Sequence, residues 1–157
     1  MRTFAARHPD TRVVIHPHPR DEDPGRYARM APRLSLIDPS KIKVADRLLP
    51  IADVVVSMYS TTLLHACSLR IPAVSILLRQ GGRSRLRSIG LNDFPPNQTG
   101  ASIGIYEPRG KMLIETLRKI KEDKRYRERI RGCQRKNFPA VRGTARDAVL
   151  AIRRFLN

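Results

Sequence analysis

The sequence predicts an α/β protein, a single Rossmann-like domain over 1–157 with an open, mainly parallel sheet of about five strands, helices on both faces and a helical C-terminus. Three observations lead there. Short apolar runs near 12–15, 34–37, 53–57, 73–78 and 102–106 have the length of strands, and stretches of helical spacing lie between several of them. Proline, glycine and aspartate punctuate the changes of pattern. A chain of 157 residues that is 41% apolar is large enough to bury about two-thirds of its unfolded surface in one core.

Each element has a local reason. Phe4 to His8 reads as the tail of a helix, which Pro9-Asp10-Thr11 turns into a strand over Arg12 to Ile15. His16-Pro17-His18-Pro19-Arg20 follows, then an acidic loop, Asp21 to Gly25, that continues neither a strand nor a long helix. Tyr27 to Met30 adds one helical turn, Leu34 to Ile37 a second strand, and a helix starting near Ser40 runs to Leu49 with Pro50 closing it. Asp53 to Ser57 holds three consecutive valines, the pattern of a strand buried on both faces. That run breaks into hydroxyl residues and resumes with Leu63, Leu64, Cys67 and Leu69 at helical spacing, which places Ser60 at the N-cap.

Arg70-Ile71-Pro72 turns into a fourth strand, Ala73 to Leu78. Residues 79–100, with Gly81, Gly82, Gly90, Pro95, Pro96, Gly100 and four arginines, read as a long loop, and Ser102 to Tyr106 as a fifth strand. Beyond Pro108 the pattern is helical. Leu113, Leu117 and Ile120 form one stripe, and Tyr126, Ile130 and Cys133 a weaker one. Thr144 with Asp147 opens a last helix whose Ala145, Ala148, Val149, Ile152, Phe155 and Leu156 share a face, so 109–157 reads as basic helices packed on the sheet.

The charge is uneven. Thirty-one Lys+Arg against 14 acids give +17, divided as 11 against 7 in residues 1–78 and 20 against 7 in residues 79–157. Such a field favours nucleic acid, an anionic membrane surface or a phosphorylated substrate. Aromatic residues make up only 5% and Trp is absent, which leaves few stacking platforms and makes nucleic acid the lesser expectation. No apolar run approaches the roughly 20 residues that span a bilayer, and the N-terminus lacks a signal-peptide core, so a cytoplasmic protein is expected, peripheral at the inner membrane face if its basic surface meets lipid. Cys67 and Cys133 lie far apart with no metal-ligand spacing, so neither a disulfide nor a metal is expected.

Ligands in open parallel sheets bind at the carboxyl ends of the strands, and the His-Pro segment, the Ser-Thr turn and the glycine-rich loop would all emerge there. A helix start offers unpaired N–H groups and partial positive charge, so hydroxyls of Ser60, Thr61 and Thr62 in front of it make a phosphate site; alternatively Ser60 only caps its own helix. No Gly-x-Gly-x-x-Gly follows a strand and no Walker sequence occurs, so neither a dinucleotide dehydrogenase nor a P-loop enzyme is indicated.

His18-Pro19 after a strand, followed some forty residues later by Ala52-Asp-Val-Val-Val-Ser57, Ser60-Thr-Thr-Leu-Leu-x-Ala66 and Ile71-Pro-Ala-Val-Ser-Ile76, resembles the C-terminal half of GT-B glycosyltransferases and their relatives. Those relatives include nucleotide-sugar 2-epimerases, polysialyl-type capsule transferases and teichoic acid glycerophosphotransferases. The resemblance covers about residues 4–78 and, more loosely, the Gly143-x-Ala145 helix. It implies a nucleotide-sugar donor held by its phosphates at His18, Ser60 and Thr61, with no metal or other cofactor. His16, Ser57, Thr62 and His65 are further donor-binding candidates. His16 stands where relatives often carry Lys or Arg and, two residues before His18 on an extended segment, shares its side. His65 stands where relatives usually carry Glu, and imidazole lacks the two-oxygen acceptor face of a carboxylate, which implies either an altered donor or a histidine packed between helix and loop.

No catalytic residue is identifiable. Asp21, Glu22 and Asp23 read as a solvated loop opposing local basic charge rather than as a base. GT-B enzymes take their acceptor and usual base from an N-terminal half, so the resemblance implies a fragment completed by an N-terminal-half partner subunit or by a homo-oligomer. The expected function is the donor-binding half of a glycosyltransferase-like enzyme in surface polysaccharide or glycoconjugate synthesis. An epimerase-like or glycerophosphotransferase-like fragment is a further alternative, and a non-enzymatic basic module for nucleic acid or anionic membrane is the rival class.

Overall fold

The computed structural model describes residues 8–18, 21–23, 25–30, 35–37, 45–78, 82–107 and 110–138. The helices expected over Phe4 to His8 (apart from His8) and Thr144 to Leu156 lie outside them, as do Pro19, Arg20, Pro24, Ser40 and residues 79–81. All five expected strands are present, in two parallel sheets rather than one. In the first, β1 (Val14–Ile15) pairs with β2 (Ser35–Leu36), Val14 opposite Ser35 and Ile15 opposite Leu36. In the second, β3 (Val55–Ser57), β4 (Ala73–Ile76) and β5 (Ile103–Ile105) pair in that order, with Ser57 opposite Ser75 and Ser75 opposite Gly104.

The single five-stranded sheet is therefore corrected to sheets of two and three strands. Proline supplies part of the reason. The first ladder ends with Ile37 N donating to Ile15 O at 2.9 Å, and two residues on, Pro17 has no N–H with which to extend it. The three-valine run is corrected with it: β3 is an outer strand of its sheet, and Val54, Val55 and Val56 are half-buried rather than enclosed. Both faces of β3 are nonetheless in use, because Val55 packs on one core and Val54 and Val56 on the other.

Those two cores explain why β4 is enclosed. Ala73 and Leu77 join Leu49, Leu63, Ala66, Cys67, Leu86, Phe94 and Ala101 on one side, whereas Val74 joins Ile105, Ile120 and Ile130 on the other. The first side is covered by α2 (Thr61–Ser68) and by two short helices, α3 (Ser84–Ser88) and α4 (Pro95–Gln98). The second is covered by α5 (Gly110–Glu122) and α6 (Lys124–Asn137), which Asp123 alone joins. Asp123 belongs to both by hydrogen bonding: its N–H donates to Lys119 O at 2.9 Å, and its own carbonyl accepts from Arg127 N at 3.1 Å. Between β1 and β2 in the chain, α1 (Gly25–Met30) stands where one helical turn is expected.

Two further expectations change. The segment ending at Leu49 is a 3-10 helix over Ala45–Ile51 that contains Pro50 instead of stopping before it. Residues 82–100 are no open loop, since Leu86 and Phe94 are buried and anchor α3 and α4. The residues that suggested a loop are the ones that bound these helices. Pro95 and Pro96 occupy the first turn of α4, where a missing N–H costs nothing. Gly90 (φ 79°) and Gly100 (φ 70°) close α3 and α4 in the left-handed conformation.

Both closures are Schellman motifs. Gly90 N donates to Arg87 O and Leu91 N to Leu86 O; Gly100 N donates to Asn97 O and Ala101 N to Pro96 O. Helix α2 closes the same way, Arg70 N to Cys67 O and Ile71 N to Ala66 O, but an arginine holds the glycine position at φ 64°. Its side chain offsets the backbone strain. Arg70 Nη1 donates to Cys67 O at 3.1 Å and Gln134 O at 3.0 Å, and also to Phe138 O, so one guanidinium binds the C-terminal carbonyls of α2 and α6 together. Beside it the fully buried Gln134 donates from Nε2 to Ile71 O at 2.9 Å and Ala101 O at 3.0 Å.

Arg70→Ala removes the charged donor but keeps the left-handed strain, and should lower unfolding stability by about 2 to 4 kcal/mol. Arg70→Gly should cost roughly 1 kcal/mol less, because glycine adopts that conformation freely. Denaturant unfolding of the two variants checks the order; a glycine variant no more stable than the alanine variant would contradict the account of strain.

Candidate functional site

The carboxyl ends of β3, β4 and β5 carry the chemistry. At the end of β3, Ser57 is half-buried and Met58 exposed, while Tyr59 turns back onto the core. Ser60 then takes extended backbone angles, φ −147° and ψ 143°, and its side chain accepts from Thr62 N at 3.2 Å. Its carbonyl accepts from Leu63 N at 3.0 Å, which makes it the N-cap of α2. Capping uses one lone pair of Ser60 Oγ and leaves the hydroxyl proton to donate, so a cap and an anion donor are compatible roles. Thr61 is exposed and Thr62 half-buried beside it. His65, four residues on from Thr61 and therefore on the same face, is exposed.

After β1, His16 is half-buried, Pro17 buried and His18 exposed. Asp21 N donates to His18 O at 2.8 Å. Asp21 anchors the turn: its carboxylate accepts from Tyr27 Oη at 2.7 Å and from Arg26 at 3.1 Å, and the bond from Tyr27 is the main reason its pKa lies below the usual carboxylate value. Asp23 accepts from Arg26 N at 3.2 Å and pairs with Arg29. The structure thus brings Ser57, Ser60, Thr61, Thr62 and His65 together around one turn and helix. His16 and His18 stand at the end of β1, in the other sheet, and no shared ladder fixes them against Ser60.

One cluster has no counterpart in the sequence analysis. Tyr106, just past β5, folds over Gly104, where a Cβ would collide with the tyrosine hydroxyl. Tyr106 Oη donates to Asp93 Oδ2 at 2.6 Å, and Asp93 Oδ1 accepts from Phe94 N at 2.7 Å and from Asn97 Nδ2 at 3.2 Å. Asn97 Oδ1 in turn accepts from the buried Ser75 Oγ at 2.9 Å and from Ser102 Oγ. The guanidinium of Arg83 lies 5.4 Å from the Tyr106 ring centre. Burial first, then the bond to Asp93 and its negative charge, push the Tyr106 hydroxyl up to about 12. A neutral phenol is a donor at every physiological pH, so the network fixes α4 to the sheet. The alternation of Ser102, Gly104 and Tyr106 was the available signal, since a glycine inside a strand marks a close approach.

Fold and site together define an α/β protein of parallel strands with an N-capped, hydroxyl-rich helix start at a carboxyl edge. No protein family matches the sequence, and neither does any curated protein. Among the described residues no group of three His, Cys, Asp or Glu side chains is arranged to hold a metal ion, and no helix is long and apolar enough to cross a membrane.

Because the Tyr106 hydroxyl is raised from 10.0 to about 12 in the folded protein, the unfolded chain loses its phenolic proton first. The stability this contributes is whole below pH 10 and declines as pH rises toward 12. Ultraviolet titration should show a tyrosine that ionises near pH 12 and disappears in Tyr106→Phe; an unchanged titration in that variant would refute the assignment.

Proposed function

We propose that the chain is the donor-binding half of a glycosyltransferase-like enzyme that handles nucleotide-activated sugars in surface polysaccharide or glycoconjugate synthesis, completed by an N-terminal half on a partner subunit or a second copy. The observation that carries this reading is the turn after β3, where an extended Ser60 caps α2 with Thr61 and Thr62 beside it. The resemblance of this turn and of His18 to the donor-phosphate motifs of GT-B enzymes supports the same reading. In it, the donor phosphates accept from Ser60 Oγ, Thr61 and the N–H groups at the start of α2, and the His18 imidazole donates from the β1 side. His16, Ser57, Thr62 and His65 surround the donor.

These groups hold the phosphates and stabilise the charge that builds on the nucleotide as it leaves the sugar, which is electrostatic assistance. No step is assigned to Asp21 or Asp23, whose carboxylates are engaged by Tyr27, Arg26 and Arg29. A non-enzymatic binding module is the second reading, favoured by the cations on α5 and α6. Salt separates the two: binding that neutralises several phosphates of a nucleic acid weakens steeply with salt, whereas a nucleotide held by hydroxyl, imidazole and backbone donors depends on salt weakly.

Calorimetry against UDP, CDP and CMP tests the reading. His18→Ala and Ser60→Ala should each weaken the preferred nucleotide by roughly tenfold or more, since a charge-assisted hydrogen bond lost is worth about 1.5 to 3 kcal/mol. Unchanged affinity in both variants, measured on folded protein, would leave Ser60 as a helix cap only.

A further inference from the structure

We propose that the corner between α5 and α6 is a second anion site, one that takes a phosphate group carried by a lipid headgroup or by a small soluble molecule. A cleft of about 430 Å³ opens there, lined by Arg118, Lys119, Glu122, Asp123, Lys124 and Arg125, all of them exposed. Its four cations make no ion pair with any described residue. Other cations on the same two helices are engaged: Lys111 with Glu115 at 3.9 Å, Lys121 with Asp10 at 2.7 Å, and Arg131 and Arg135 with Glu128 at 2.9 and 3.8 Å. Of the two acids in the cleft, Asp123 is occupied as the N-cap of α6, its Oδ1 accepting from Tyr126 N at 2.9 Å.

Among the described residues these four cations have no ion-pair partner within contact distance, although Lys124 feels the charge of Glu128 at longer range, and they outnumber the carboxylates of Glu122 and the capping Asp123. The C-terminal carbonyls of α5, which would repel an anion, are covered as well, because Arg127 donates to Ile120 O at 2.6 Å and to Lys121 O. Arginine offers paired N–H donors in the geometry of phosphate oxygens, and lysine a mobile point charge, so the mixture suits a phosphate group more than a flat carboxylate. A smaller cleft of about 350 Å³ beside Asp53, Arg70 and Glu128 lacks this property, since Arg131 there is bound to Arg70 O at 3.2 Å and to Glu128. Single-stranded nucleic acid fits the corner less well. The nearby Tyr126 is half-buried with Arg129 over its ring at 5.0 Å, so it offers no open face on which a base could stack.

This site shares no residue with the Ser60 turn, so either proposal can fail without the other. The test compares two variants of the full chain, each lacking four positive charges. The cleft variant carries Arg118→Gln, Lys119→Gln, Lys124→Gln and Arg125→Gln; the control carries Arg85→Gln, Arg87→Gln, Lys111→Gln and Lys136→Gln, all exposed positions. Glutamine has nearly the helix propensity of arginine and lysine, so both variants should fold, as circular dichroism can verify.

The probes are phosphatidylcholine vesicles with and without phosphatidic acid, inorganic phosphate, and duplex DNA. The cleft variant should lose about tenfold or more in binding, and the control less than about threefold. Cleft-dependent loss on vesicles alone supports a lipid headgroup as the source, and cleft-dependent loss with inorganic phosphate supports a soluble one. Equal losses in the two variants, no binding to either phosphate probe, or cleft-dependent binding to DNA alone would overturn the proposal.

Discussion

The guanidinium of Arg70 joins the two helical layers at one point. Helix α2 covers one side of the β3-β4-β5 sheet, α6 packs with α5 over the other through Ile130 while its Cys133 and the capping Phe138 reach the first core, and both C-termini end at this side chain. Fixing it also fixes the opposite end of α2. A helix of eight residues, held after its last turn by Arg70 and at its start by Ser60, has little freedom to tilt. The hydroxyl cluster at the carboxyl edge of the sheet is therefore positioned partly by a clamp at the amino edge.

How much could be read from the sequence follows from how far each cause reaches along the chain. The capped start of α2 was legible because Ser60 and Thr62 are two residues apart and the N-cap preference is local. The existence of each strand was legible for the same reason. Their division into two sheets was not, because it depends on which edges meet, and alternation of apolar residues is silent on that. Glycine and proline misled over 82–100, where they close and open two short helices by the same conformational preferences that make loops.

Three polar residues in two places resisted reading for a different reason. Gln134 lies on a strongly charged helix yet is fully buried, because Ile71 O and Ala101 O, 63 and 33 residues away, need its amide. Asn97 and Tyr106 resemble ordinary loop polarity until Ser75, Ser102 and Asp93 are brought around them. In both places the partner is a backbone carbonyl or a side chain elsewhere in the sequence; Gly104 inside its strand hints at the close approach of Tyr106, but no pattern names the partners. The buried Cys67, which donates to Ala101 O at 3.4 Å and whose thiol burial pushes up to about 11, belongs to the same group of tertiary effects.

The joint at Asp123 has a consequence for association at that end of the molecule. One residue ends the hydrogen bonding of α5, begins that of α6 and caps the latter with its own carboxylate, so the two helices meet with no slack between them. The backbone that carries Arg118, Lys119, Lys124 and Arg125 is therefore hydrogen-bonded on both sides of the joint. An anion taken up there, as proposed, would meet a main chain already hydrogen-bonded, with only side-chain rotamers left to restrict. Lengthening the joint by even two residues would leave every charge in place and still weaken the encounter, because the ordering now built into folding would have to occur at the moment of contact.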